Sequence, residues 1–429
     1  MEARRAPTSP DATVVAVGAI LFFAILMLSW ISVHPFQSMA DEKLITVGDT
    51  SDLVNQFAYV TLAAVAAIYF LLLEPRQLRP LVRPVYFAML AWLLVSVATS
   101  TDPALSLKRL IFVLLVIALA AVLPLLPTNL RRFADMTAAA AGVVLVLSYA
   151  GLLFAPELSI HQADDLVEPT LAGNWRGVFS HKNIAGTMMV DFVFVGLFVA
   201  RVRSMLLGAA IVVASGVFLF FCEAKAATEL LPLVLVLSFA LLRVRSWLVS
   251  AALVLAPTVA LNLVTVGSLY SDRIREFNQA VLSDPSFTGR NDIWQFALDN
   301  IHAGPWVGYG FGAFWETPLS FYQKAADGNL AMQASHAHNA FIDLALTIGL
   351  PGLVIGLAWT VLLPFLDLQR AKHAGAEVAL TTLFTRIWLF GLYTSSFESV
   401  LFDRGNPTWF TMLVAMFGLR YLAVSRVKE

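Results

Sequence analysis

The sequence predicts an all-α polytopic membrane protein of about twelve transmembrane helices, and three observations predict it. Of 429 residues, 59% are hydrophobic and only 13% are charged, against roughly 25% charged in soluble domains. Mean hydropathy is +0.77, which leaves too little polar surface to cover a water-soluble globule. The apolar residues also fall into runs suited to helices crossing a hydrocarbon core of about 30 Å, which takes roughly 20 residues each. A net charge of −1 removes the electrostatic case for nucleic acid, which needs a basic face. Cys222 is the only cysteine, so neither an intrachain disulfide nor a cysteine-rich zinc site can form.

The runs are 12–33, 54–73, 84–98, 110–126, 136–154, 184–202, 205–222, 229–242, 247–267, 340–366, 380–396 and 408–424. The first is longer than a signal-peptide core of about 7–15 residues, so it reads as an anchor even though Ser38-Met39-Ala40 resembles a cleavage site. The eighth run is short. The tenth is long and is interrupted by Gly349-Leu350-Pro351-Gly352, a break that neighbouring helices or water must satisfy. Alternate short segments carry Arg4 and Arg5; Arg76, Arg79 and Arg83; Arg131 and Arg132; Arg201 and Arg203; Arg243 and Arg245; Arg370 and Lys372; and Arg420, Arg426 and Lys428. Positive charge stays inside during insertion, so these segments and both termini are predicted to be cytoplasmic. One transmembrane domain, 1–429, remains, with two substantial periplasmic loops at 155–183 and 268–339.

The polar information lies in those loops. A connection as long as the second is usually functional or disordered. Within it Trp294, Ala297, Leu298 and Ile301 recur at helical spacing, and Gly304-Pro305 then ends the pattern. Such a helix packs on the bundle or lies at the interface, where it can roof a site. The run Val307-Gly308-Tyr309-Gly310-Phe311-Gly312 lacks the βαβ context of a nucleotide loop. Its glycines instead allow tight turns beside aromatics.

His336 and His338 flank Ala337 just before the tenth run. Three readings are open: a metal pair, which would need a third ligand and has Asp343 as its nearest carboxylate; a helix-end histidine satisfied by a neighbour; or a neutral imidazole acting as general base. The electrostatics favour the base. The same face carries Arg176, Lys182, Lys225, Arg273, Arg275, Arg290 and Arg404, several of them inside turn-rich polar stretches. Converging cations of this kind make a clamp for phosphates. Asp191 in the sixth run and Arg386 in the eleventh are intramembrane charges, and such residues are functional candidates by default. Asp191 could line a groove, pair with a cation or couple protons, the last suiting a transporter.

Arg176-Gly177-Val178-Phe179-Ser180-His181-Lys182-Asn183 resembles the loop before a span in the O-antigen ligase and polymerase superfamily. Thr288-Gly289-Arg290, with Trp294 and Gly308-Tyr309-Gly310, is similar to that superfamily's large periplasmic loop. His338-Asn339, with Gly349 and Gly352 downstream, resembles its histidine motif, and Phe397-Glu398-Ser399 with Arg404 and Trp409 its closing segment. The resemblance reaches from the loop before the sixth run to nearly the C-terminus. It implies a GT-C-like helical fold in the bacterial inner membrane, with an active site facing the periplasm. The implied activity is inverting glycan transfer from an undecaprenyl-pyrophosphate-linked oligosaccharide, without metal, cofactor or nucleotide sugar.

By the same resemblance His338 is the base that activates the acceptor hydroxyl, and Arg290 holds the donor pyrophosphate. Where the superfamily has a second arginine this chain reads Glu223-Ala224-Lys225-Ala226, so Lys225 keeps the charge without the fork geometry. Arg176 and Arg404 would complete the clamp. His181, Lys182, Asn183, His336, Asn339 and Glu398 are further site candidates. The lysine, with Ser180-His181-Lys182-Asn183, looks more like exopolysaccharide polymerases than lipopolysaccharide ligases. The expectation is a Wzy-type polymerase of lipid-linked repeats, working with membrane lipid and with a chain-length regulator and a flippase. A ligase that moves finished glycan onto lipid A core is the close rival, and a lipid-linked sugar transporter is the rival of another class.

Overall fold

The computed structural model describes residues 12–38, 53–73, 75–165, 168–281, 287, 289–315, 317 and 334–424. Arg4, Arg5, Thr288, Arg426 and Lys428, and Met39-Ala40 of the cleavage-like site, lie outside the described residues.

Each of the twelve apolar runs forms helix, in the expected order. They are α1 (Ala12–Ile31), α2 (Leu53–Leu73), α3 (Pro84–Ala98), α4 (Pro103–Val122), α5 (Leu130–Phe154), α6 (Lys182–Val202), α7 (Met205–Cys222), α8 (Lys225–Arg243) and α9 (Trp247–Val264). Two helices of the long loop follow, α10 (Asp272–Val281) and α11 (Arg290–Ala303). The chain ends with α12 (Ala340–Leu357), α13 (Leu363–His373), α14 (Val378–Thr394) and α15 (Pro407–Val424). The protein is a helical polytopic membrane protein, as the composition requires.

Among the described residues ten helices are long and apolar enough to cross a membrane. The pair Pro75–Leu81 and Pro84–Ala98, bent by 74°, passes the same test when taken together. Pro75, Pro80 and Pro84 lack the N–H groups that a straight helix would use there. The eleventh run, α14, has 17 residues, about 25 Å at 1.5 Å each, less than a full hydrocarbon core. Most of its side chains are buried against other helices, so protein rather than lipid surrounds it. The eighth run also grows: α8 starts at Lys225, because the chain turns at Glu223, whose φ is +50°.

α6, α14 and α15 form the buried centre, whereas α2 and α9 present apolar side chains outward. Hydrocarbon is as apolar as leucine, so close backbone approach and interhelical hydrogen bonds drive packing in a bilayer. α6 and α7 meet in this way. A Cβ on Gly196 would stand 2.8 Å from the Gly208 carbonyl oxygen, and one on Gly208 would stand 2.4 Å from the Ala200 nitrogen.

The break expected in the tenth run lies at Gly349, where φ is +70° and ψ is 175°. It frees the carbonyls that precede it. Trp92 Nε1 donates to Ile348 O at 2.8 Å, Tyr309 N to Leu346 O at 3.0 Å and Gly310 N to Thr347 O at 2.9 Å. The glycine-rich run of the long loop is thus docked on the broken helix, and its turns have positive φ at Gly308, Gly310 and Gly312. The element predicted over 291–301 is α11. It buries Trp294, Ala297 and Ile301 and is closed by Gly304.

The cation-rich connections meet at one end of the bundle. Arg83 pairs with Asp367 at 2.5 Å, and Arg420 approaches the same carboxylate at 3.4 Å. Lys372 Nζ donates to Leu241 O and Val244 O, both at 2.7 Å. Arg203 pairs with Asp135 at 2.7 Å. The described parts of the loops 155–183 and 268–339 and the connection after α14 gather at the other end, through the contacts described next.

Candidate active site

Glu398, in the connection between α14 and α15, is the centre of the polar cluster at that end. Its Oε1 accepts from Asn183 Nδ2 at 2.9 Å and from Arg290 Nη2 at 3.0 Å. Its Oε2 lies 3.1 Å from His338 Nδ1. Arg290 Nη1 also donates to Phe397 O at 2.5 Å. Four chain segments therefore meet on one carboxylate: the start of α6, the start of α11, the residues before α12 and the connection after α14. Burial alone would raise the Glu398 carboxyl, but the positive charge of Arg290 and then its contact with His338 outweigh burial and hold it well below the usual carboxylate range.

Local structure aims His338. Its φ is +48°, a left-handed conformation uncommon outside glycine. Three contacts hold the backbone there. Asn339 caps α12, its Oδ1 accepting from Phe341 N and Ile342 N. Asp343, one turn inside α12, accepts from Ala337 N at 3.1 Å, from Trp315 Nε1 at 2.7 Å and from Ser399 Oγ. Trp294 of α11 donates to Ala337 O at 2.9 Å. Asp343 is thus a clamp on the histidine loop rather than a partner of the imidazoles. His338 N donates to His336 Nδ1 at 3.2 Å, and the two rings lie 4.0 Å apart. Burial and then the neighbouring His338 push the His336 imidazole down.

With His338 Nδ1 against a carboxylate, the favoured tautomer carries its proton on Nδ1 and leaves the Nε2 lone pair free. The ligand atoms of His336, His338 and Glu398 lie within 4.8 Å of one another, a grouping that could hold a metal ion. Arg290 and Asn183 already occupy one oxygen of that carboxylate, so a divalent ion would enter against a guanidinium.

A second group adjoins the first through the α6 cap. His181 caps α6, accepting from Asn183 N, and its Nε2 lies 2.7 Å from Glu168. The His181 contact, opposed by burial, holds Glu168 below the usual carboxylate range, and His338 is close enough to add to this. Lys182 is near enough to feel Lys225, and Glu223 lies close enough to Lys182 to offset part of that repulsion. Lys225 is exposed at the start of α8 and makes no ion pair among the described residues. Arg404 is partly exposed in the connection that carries Glu398.

Arg176 departs from the expectation. It is fully buried, and it spends its guanidinium on Gln37 O at 2.8 Å and Phe179 O at 3.5 Å. A guanidinium sealed among carbonyls pins the 155–183 loop and has no face to offer a phosphate. Asp191 is also buried apart from the cluster, midway along α6, with both carboxylate oxygens lacking a hydrogen-bond partner among the described residues. Sequence reasoning missed Asn262 and Glu168. Asn262 accepts from Asn339 Nδ2 and donates to Ser396 Oγ, both at 2.9 Å. Its signal was an amide inside an otherwise apolar run.

Fold and cluster together define a many-helix membrane protein with a histidine, a carboxylate and an arginine joined at one end of its bundle. Residues 188–357, which hold Arg290 and His338, match the O-antigen ligase family (Wzy_C). The chain is 26% identical over 282 residues to the exopolysaccharide production protein ExoQ of Rhizobium meliloti, a match covering 63% of this chain and 61% of that protein. It is 27% identical over 409 residues to the O-antigen ligase of Pseudomonas aeruginosa, covering 92% of this chain and 90% of that one. The match therefore spans less than two thirds of the Rhizobium protein's length.

Proposed function

We propose that the chain is a polyprenyl-pyrophosphate-dependent glycosyltransferase of the bacterial inner membrane, and that it joins lipid-linked oligosaccharide repeats into a polysaccharide. The observation that carries this is the junction at Glu398, where the Nδ1 edge of a histidine and a half-buried arginine share one carboxylate. Glycan transfer from a lipid pyrophosphate needs both parts: a base for a hydroxyl that is a poor nucleophile, and fixed positive charge for a leaving group that becomes more anionic.

In the proposed reaction His338 Nε2 takes the proton of the acceptor hydroxyl. That oxygen bonds to the donor's anomeric carbon, the carbon–oxygen bond to pyrophosphate breaks with its electron pair leaving on phosphate, and configuration inverts. Glu398 positions the imidazole and the guanidinium and balances the charge that forms on the ring. Arg290 has five N–H donors and gives one to Phe397 O and one to Glu398, so donors remain for a phosphate oxygen. Lys182 and Lys225 add charge beside it. A groove of about 940 Å³ between α9 and α12–α13 suits the polyprenyl chain. Val254, Leu263, Leu353 and Leu357 line it, and Asn262 and Asn339 mark the end next to His338. The charge asymmetry of the connections supports a periplasmic position for the cluster.

The 92% coverage of this chain by the match to an O-antigen ligase favours a second reading, transfer of a finished glycan to another acceptor. Purified protein supplied with lipid-linked repeats and no other acceptor separates the two. Chain lengthening that is abolished by His338→Ala is the expected result. Absence of lengthening with wild-type protein, and transfer once a lipid A core is added, would establish the ligase. Lengthening that survives His338→Ala would overturn the histidine mechanism.

A further inference from the structure

At the other end of the bundle Arg201, in the last turn of α6, and Arg386, within α14, line one cavity of about 190 Å³ with Leu197, Phe198, Thr382 and Leu383. The two guanidiniums are close enough to repel. Arg386 Nε reaches Ser238 Oγ at 3.4 Å, and among the described residues no carboxylate pairs with either arginine. The neighbouring Arg203 differs, because Asp135 neutralises it. Charges at membrane depth are costly and persist where something pairs with them. Two like charges aimed into one apolar-walled pocket call for an anion, and planar guanidinium forks match phosphate oxygens.

We propose that this cavity binds the phosphate of an anionic phospholipid in the leaflet opposite the His338 site. The apolar walls favour lipid over a soluble anion. Arg386 is half-buried, about two turns into α14. Leu197, Phe198 and Leu383 offer acyl chains an apolar wall. By the charge asymmetry that leaflet is the cytoplasmic one, where anionic headgroups attract basic segments. The site is separate from the transfer chemistry and does not depend on it. Its role is to neutralise α6 and α14, the two helices whose other ends carry Asn183 and lead to Glu398.

The test is thermal unfolding of the full-length protein, stripped of lipid in a neutral detergent, after adding phosphatidylglycerol, phosphatidylcholine or inorganic phosphate. A ligand that binds only the folded state raises the midpoint. Phosphatidylglycerol is expected to raise it by several degrees and phosphatidylcholine not to. Arg201→Gln, a change at an exposed side chain, is expected to lose most of that shift, Arg386→Lys part of it and Arg203→Gln none. Equal stabilisation by phosphatidylcholine, or a full shift in Arg201→Gln, would overturn the site. Stabilisation by inorganic phosphate to the same extent would overturn the lipid assignment.

Discussion

At the scale of single residues, the Glu398–His338 contact makes the sharpest claim. Oε1 of Glu398 faces two donors, Asn183 Nδ2 and Arg290 Nη2, and Oε2 faces His338 Nδ1. In Glu398→Gln the amide oxygen must stay on the donors, so its NH₂ turns toward Nδ1. The imidazole then accepts there and carries its proton on Nε2, the wrong tautomer for a base. A comparable carboxylate-to-amide change behind a catalytic histidine lowers kcat by about 10⁴, so a fall of roughly 10²–10⁴ in kcat is expected, with donor KM changed little and Glu398→Asp restoring part of the rate. A purely structural carboxylate would move both constants or neither. The same substitution has a pH signature. Because the Glu398 carboxyl is held down in the folded state, its ionic contacts stabilise the protein above the ordinary value of 4.5 and are lost as pH falls below it. Wild-type melting temperature should therefore drop more steeply on acidification than that of Glu398→Gln. Only the identity of these residues was legible in the sequence. Asn183, Arg290 and His338 are 215, 108 and 60 positions from Glu398, and no local pattern encodes contacts of that range. Arg176 shows the reverse, since a turn-rich setting reads alike for an open cation and for one sealed onto carbonyls.

At the scale of elements, the broken helix α12 ties the long loop to the bundle. Gly349 occupies backbone space open to essentially no other residue, and a Cβ there would stand 2.2 Å from the Trp306 carbonyl oxygen. Gly349→Ala should destabilise the protein by about 1–3 kcal/mol from backbone strain, with more from the collision. It should also lower activity, because the displaced 305–312 segment and α11 hold the histidine loop through Trp294. Gly142→Ala in α5, where a Cβ meets nothing within 4 Å, is the control. It should be neutral or stabilising by up to about 1 kcal/mol. Melting temperatures of the two variants check this, and equal values would remove the proposed strain. The helices, the break and α11 were legible because runs, proline and glycine act locally. The 74° bend before α3 and the burial of α14 were not, since apolar runs read alike whether lipid or protein surrounds them.

At the scale of the whole molecule, the distribution of charge becomes a statement about direction. The cationic connections meet on shared partners such as Asp367, and the site loops meet on Glu398, so the ends are distinguished by contacts as well as by counting. Which end faces the cytoplasm is then a single binary question. The charge rule predicts the end with the cationic connections, because arginines and lysines in short connections are retained inside. The only native cysteine, Cys222, is buried, so wild-type protein should give little background with a membrane-impermeant maleimide. Ala172→Cys lies on an exposed position of the 155–183 loop, and Arg245→Cys on an exposed position between α8 and α9. Intact spheroplasts should label Ala172→Cys at once, and Arg245→Cys only after permeabilisation. The opposite pattern would put His338 in the cytoplasm. It would remove the periplasmic reaction and move the proposed Arg201–Arg386 lipid site to the outer leaflet, because both assignments rest on the same orientation.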